Sequence, residues 1–124
     1  NSGADTAQAA PYHLSGLGVQ VAVWDSGAIA HPDLLGRVSL QTTLSTSQHA
    51  THVAGMLAGS GATSAQFGGT DRQWRGVAPR ATLLSYDFML PIDEFSNAID
   101  QHGSDVLQYS LGFLTLCNDY AIYE

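Results

Sequence analysis

Gly18-Val19-Gln20-Val21-Ala22-Val23-Trp24 is a mostly apolar run of strand length, and it stops at Asp25-Ser26-Gly27. Near-continuous apolarity suits a strand covered on both faces, as in a parallel sheet. The Asp-Ser-Gly that follows is turn chemistry. The first strand of a buried sheet is therefore expected to end on a carboxylate.

Downstream, His31-Pro32-Asp33-Leu34 reads as a turn or a single helical turn, with proline fixing φ. Residues 49–58 predict a helix, because Val53, Met56 and Leu57 fall at i, i+3 and i+4. Gly59 and Gly61 are placed to end it. Residues 60–76 are rich in Gly, Ser and Thr and read as a loop. Ala81-Thr82-Leu83-Leu84-Ser85-Tyr86 is a second buried-strand candidate. From Asp93, a second amphipathic helix is marked by Phe95, Ala98, Ile99 and His102 and closed by Gly103. Asp105-Val106-Leu107-Gln108-Tyr109-Ser110 is a third strand. Upstream, residues 1–17 read as an irregular or weakly helical lead-in. The order strand, helix, strand, helix, strand predicts an α/β fold: a three-layer, mostly parallel sheet with right-handed crossover helices.

Bulk composition fits one packed domain at most. Of 124 residues, 44% are hydrophobic and 12% charged, which supports a core and argues against disorder. The formal net charge is −7; there is no lysine, and Arg37, Arg72, Arg75 and Arg80 are the only fixed cations. Such a chain lacks the basic patch that nucleic acid or an anionic membrane would need. No apolar run approaches the roughly 20 residues of a membrane span. Cys117 is the only cysteine, so no disulfide can form within the chain and the compartment stays open. The chain begins at Asn1 without a signal-peptide pattern and stops after Glu124 without a Gly or Pro stop, so it is expected to be a processed or interrupted piece.

Ligands of open parallel sheets bind beyond the carboxyl ends of the strands. Asp25 follows the first strand, His49 opens the first helix, and Ser110-Leu111-Gly112 follows the third strand. A carboxylate and an imidazole on neighbouring elements of one edge form the Asp–His half of a nucleophilic triad. The carboxylate holds one tautomer and stabilises the imidazolium; the imidazole takes the proton of a serine hydroxyl.

Other readings of these residues compete. Asp25 could cap a turn, and His49 could be a polar residue at a helix start. His49 and His52 could be half of a zinc site, but no Glu lies between them and no third ligand is evident. Neither Ser26 nor Ser110 sits in a strand-to-helix elbow signature, and Cys117 lacks a cationic context. A dinucleotide-binding fold would put its glycine fingerprint after the first strand, whereas Gly16 and Gly18 precede it and a carboxylate follows.

Four segments together resemble the subtilase family of serine proteases. Val21-Ala22-Val23-Trp24-Asp25-Ser26-Gly27, followed by His31-Pro32-Asp33-Leu34, is similar to the family's aspartate motif. His49-Ala50-Thr51-His52-Val53-Ala54-Gly55 resembles its histidine motif, usually His-Gly-Thr-His-Val-Ala-Gly. Gly76-Val77-Ala78-Pro79-Arg80-Ala81-Thr82-Leu83 and Asp105-Val106-Leu107-Gln108-Tyr109-Ser110-Leu111-Gly112 resemble the two segments that follow. All four stand in the family's order, with Asp before His.

The resemblance implies a serine endopeptidase working through an Asp-His-Ser triad. Asp25 would orient the base, His49 would be the general base, and His52 would be a structural, hydrogen-bonded histidine. Ser110, Leu111 and Gly112 would line the first substrate pocket and pair with the substrate backbone like an added strand. Residues 1–124 would be the N-terminal portion of the catalytic domain, with peptide or protein substrates and a secreted or extracellular location. No Gly-Thr-Ser-x-Ala nucleophile motif occurs in the chain. The remainder of the domain would therefore be the partner that brings the serine, and the 124 residues alone are expected to be inactive and to fold only in its company. A subtilase-derived peptide-binding module without a serine is the alternative. Ala50 departs from the usual glycine, and the 24-residue spacing from Asp25 to His49 is short for the family. No organic cofactor is implied; calcium is possible, with Asp33 at a position that can be a ligand.

Overall fold

The computed structural model describes residues 3–42, 45–88, 91–110, 116–117 and 120–121. Its centre is a four-stranded sheet of β1 (Gln20–Asp25), β2 (Val38–Leu40), β3 (Thr82–Asp87) and β4 (Val106–Tyr109). The strand order is β2-β3-β1-β4, and every pairing is parallel. Beyond it, β5 (Leu116–Cys117) and β6 (Tyr120–Ala121) form a small antiparallel pair.

The alternation of side chains along β1 explains the layering. Val21 and Val23 face one side, with Leu83 of β3, and pack under α2 (Gln48–Ala58). Ala22 and Trp24 face the other side, with Leu84 and Tyr86, against Phe95 and Ala98 of α3 (Pro91–Asp100). A strand with helices over both faces must be apolar at every position, which is the pattern of residues 21–24. Trp24 fixes its layer closely: its ring stacks on Tyr86 at 4.5 Å, meets Phe95 edge-on at 4.4 Å, and donates Nε1–H to Glu94 at 2.9 Å. Burial, and then the neighbouring Glu94, hold the Tyr86 phenol above its ordinary pKa.

The helix α2 buries a different stripe from the one predicted. Ala50, Ala54 and Ala58, at i, i+4 and i+8, are fully buried, Val53 and Leu57 are partly buried, and Met56 is 64% exposed. An alanine stripe lets the helix backbone lie close to the sheet, and Met56 falls just off that contact. Replacing one of these methyls overfills the gap. We expect Ala54→Leu to cost about 1–3 kcal/mol in the full-length protein; an unchanged urea midpoint would refute this packing.

Both ends of α2 are closed, the start by its own N-cap and the far end by distant chain. Ser47 caps its start, accepting from Ala50 N–H at 3.1 Å. At the other end the backbone N–H groups of Gly76, Val77 and Ala78 donate to Gly59, Met56 and Leu57, satisfying carbonyls the helix itself leaves unpaired. A side-chain carbon at Gly76 would stand 2.8 Å from the Ala58 nitrogen, so only glycine fits there. The lead-in holds one short helix, α1 (Ala4–Gln8), whose Gln8 amide donates to the carbonyls of Gly76 and Val77 at 2.9 Å.

Several local expectations are corrected. The second helix opens at Pro91 rather than Asp93, and Ile99 is half-exposed while Ala98 is buried. The 60–76 loop contains a 3-10 turn at Ser64–Phe67. The strand β2 and the β5–β6 pair are not foreseen from the sequence.

Candidate active site

The sheet reverses its winding at β1, since β3 lies on one side of it and β4 on the other. Such a switch point opens a crevice at the strand ends, and Asp25 is the residue that ends β1. Its carboxylate is buried, 1% exposed. Oδ1 accepts from the Ser26 N–H at 2.6 Å and from the Ser26 hydroxyl at 3.1 Å.

His49 sits in the first turn of α2, with its side chain 58% exposed. Its Nδ1 is 2.7 Å from Asp25 Oδ1 and 2.9 Å from Oδ2. A carboxylate has no proton to give, so Nδ1 carries the hydrogen and Nε2 is left with its lone pair. Nε2 faces away from the carboxylate, on an imidazole open to an incoming group. This is the geometry of a general base held in one tautomer.

Three further contacts set the distance between helix and strand. Ala28 N–H donates to the Ser45 carbonyl at 3.0 Å, and Ser47 N–H to the Ala28 carbonyl at 2.9 Å. Thr51 accepts from Ala30 N–H through its hydroxyl at 3.1 Å. The approach is close enough that a side-chain carbon at Gly27 would lie 2.6 Å from the Ser45 carbonyl oxygen. The glycine of Asp-Ser-Gly therefore makes room for the segment that carries the histidine.

The remaining predicted residues divide. Ser110 follows β4, one residue beyond the Trp24–Tyr109 pair, so it stands at the same end of the sheet as Asp25. Its hydroxyl accepts from the Gln108 side-chain amide. Leu111 and Gly112 lie outside the described residues. His52 is corrected: it is exposed, makes no hydrogen bond among the described residues, and opens onto a groove of roughly 700 Å³ with His31, Met56 and Trp74. The Ala50 methyl points into the core beneath α2, which is why alanine is accommodated where glycine is usual. Asp33 Oδ1 accepts from Thr63 N–H at 2.9 Å, and no group of three His, Cys, Asp or Glu side chains suited to a metal forms among the described residues. Ser47 was missed as part of the site. A serine ahead of a helical histidine is an N-cap signal that would have found it.

The order of these parts along the chain has a match among known proteins. A family model described as the subtilase family covers residues 16–119. This chain belongs to the subtilase family. It is also 40% identical over 79 residues to serine protease AprX of Bacillus subtilis (strain 168). That match takes in 57% of this chain and 16% of the AprX sequence, so the chain corresponds to a minor part of that relative's length. The subtilase motifs account for the geometry in turn: the aspartate motif ends β1, the histidine motif opens α2, and the Gly76–Ala78 stretch of the third closes the far end of α2.

Proposed function

We propose that this subtilase chain supplies the Asp–His half of a serine endopeptidase, with the nucleophilic serine contributed by polypeptide outside residues 1–124. The observation that carries the reading is the 2.7 Å contact between His49 Nδ1 and the buried Asp25 carboxylate. His49 Nε2 takes the proton as the serine oxygen attacks the peptide carbonyl carbon. It returns that proton to the amine when the C–N bond breaks, leaving an acyl-enzyme that water then hydrolyses. Asp25 stays ionised and stabilises the imidazolium. Ser110, at the end of β4, lines the first substrate pocket, a role that the resemblance also gives to Leu111 and Gly112. The substrates are peptides or proteins, and the enzyme works outside the cell.

A serine-reactive phosphonate tests this. In the full-length protein it is expected to label one serine beyond Glu124, and His49→Ala should abolish the labelling. Residues 1–124 alone should take up none. Labelling of Ser26 or Ser110, or full labelling in the His49 variant, defeats the reading.

A further inference from the structure

We propose that Ser47 is a positioning residue for the Asp25–His49 pair, acting through Ser26. Proton counting fixes the direction of the bonds. The Asp25 carboxylate can only accept, so Ser26 spends its single hydroxyl proton on Asp25 Oδ1 at 3.1 Å. The 2.9 Å contact between the hydroxyls of Ser26 and Ser47 must then be donated by Ser47. Ser47 keeps its lone pairs for Ala50 N–H at 3.1 Å. The result is a continuous line: Ala50 N–H to Ser47, Ser47 to Ser26, Ser26 to Asp25.

This line meets the imidazole from the other side. His49 reaches Asp25 through its ring, while the peptide N–H of the next residue reaches the same oxygen through two hydroxyls. The two routes close a ring that ties the first turn of α2 to the end of β1 independently of the imidazole. Each hydroxyl in the line polarises the next, so the positive end of the helix acts on the carboxylate as well as on the histidine. Without Ser47, the Ser26 hydroxyl loses its only donor among the described residues, and the first turn of α2 loses its cap.

The inference rests on the protease reading, and the test separates the two. Glycine caps a helix nearly as well as serine but has no hydroxyl, so Ser47→Gly removes the line while sparing the helix start. In the full-length protein, Ser47→Gly and Ser47→Ala are each expected to lower kcat about tenfold with KM little changed. Ser47→Thr, which keeps the hydroxyl, should restore it. Adding Ser47→Gly to Ser26→Ala should cost nothing more, because Ser47 reaches the carboxylate only through the Ser26 hydroxyl. The His49 Nδ1 proton, read by NMR as a far-downfield resonance, should broaden in Ser47→Gly and stay sharp in Ser47→Thr. Wild-type kcat and a sharp resonance in Ser47→Gly, or losses that multiply in the double variant, would overturn the proposal. A wild-type protein without peptidase activity would defeat the protease reading instead, and the resonance would then decide the role of Ser47 by itself.

Discussion

Asp25→Asn in the full-length protein is expected to reduce kcat by on the order of 10⁴-fold while leaving the melting temperature nearly unchanged. The reason lies in the partners of the two oxygens. Oδ1 accepts two hydrogen bonds from Ser26, one from its amide and one from its hydroxyl. An asparagine keeps those bonds only with its carbonyl at the Oδ1 position, which puts its NH₂ at the Oδ2 position, 2.9 Å from His49 Nδ1, and leaves Nδ1 facing a donor beside an oxygen that already holds two hydrogen bonds. Two donors cannot face each other, so the histidine moves its proton to Nε2 and the lone pair needed to take the serine proton is gone. Steady-state kinetics and a thermal melt check both halves. A variant within tenfold of wild-type kcat would show that Asp25 does not set the tautomer.

Trp24→Ala is expected to produce the largest loss of stability in the described structure, about 3–5 kcal/mol. The indole is fully buried between Tyr86 and Phe95, and its Nε1–H is bonded to Glu94. Truncation opens a cavity across the β1–α3 layer and leaves the Glu94 carboxylate without that donor. Because β1 also ends at Asp25, peptidase activity should fall along with stability. Urea unfolding of the full-length protein measures the change, and a loss under about 1 kcal/mol would mean the layer repacks freely.

How much of this was legible in the chain follows from what each signal encodes. The run Val21–Trp24 announced a two-sided strand because both faces had to be apolar, and the structure covers both. Asp25 and His49 were found because turn and helix-start positions brought carboxylate and imidazole to one end of the sheet, and the structure bonds them. The face of α2 was misread. Hydrophobicity favours Met56 over alanine, but the contact is decided by how closely a helix can approach a sheet, which selects Ala50, Ala54 and Ala58. The β2 strand, Val38-Ser39-Leu40, is three residues long at the sheet margin, with Leu40 54% exposed, so no period could show itself. Pro91 at the start of α3 was an available signal, since its missing N–H is an orphan at that position in any helix. The N-cap at Ser47 was legible from its place ahead of the helix, but its donation to Ser26 is a matter of proton direction across elements, which no single-sequence pattern displays.

The stretch Gly76–Ala78 grips the far end of the helix whose opposite end presents His49. That helix is thus a beam built in at both supports, and its first turn cannot slide along the sheet without breaking bonds at its last. Any adjustment of the His49 imidazole must come from rotation about its side-chain bonds, since the backbone beneath it is held at both ends.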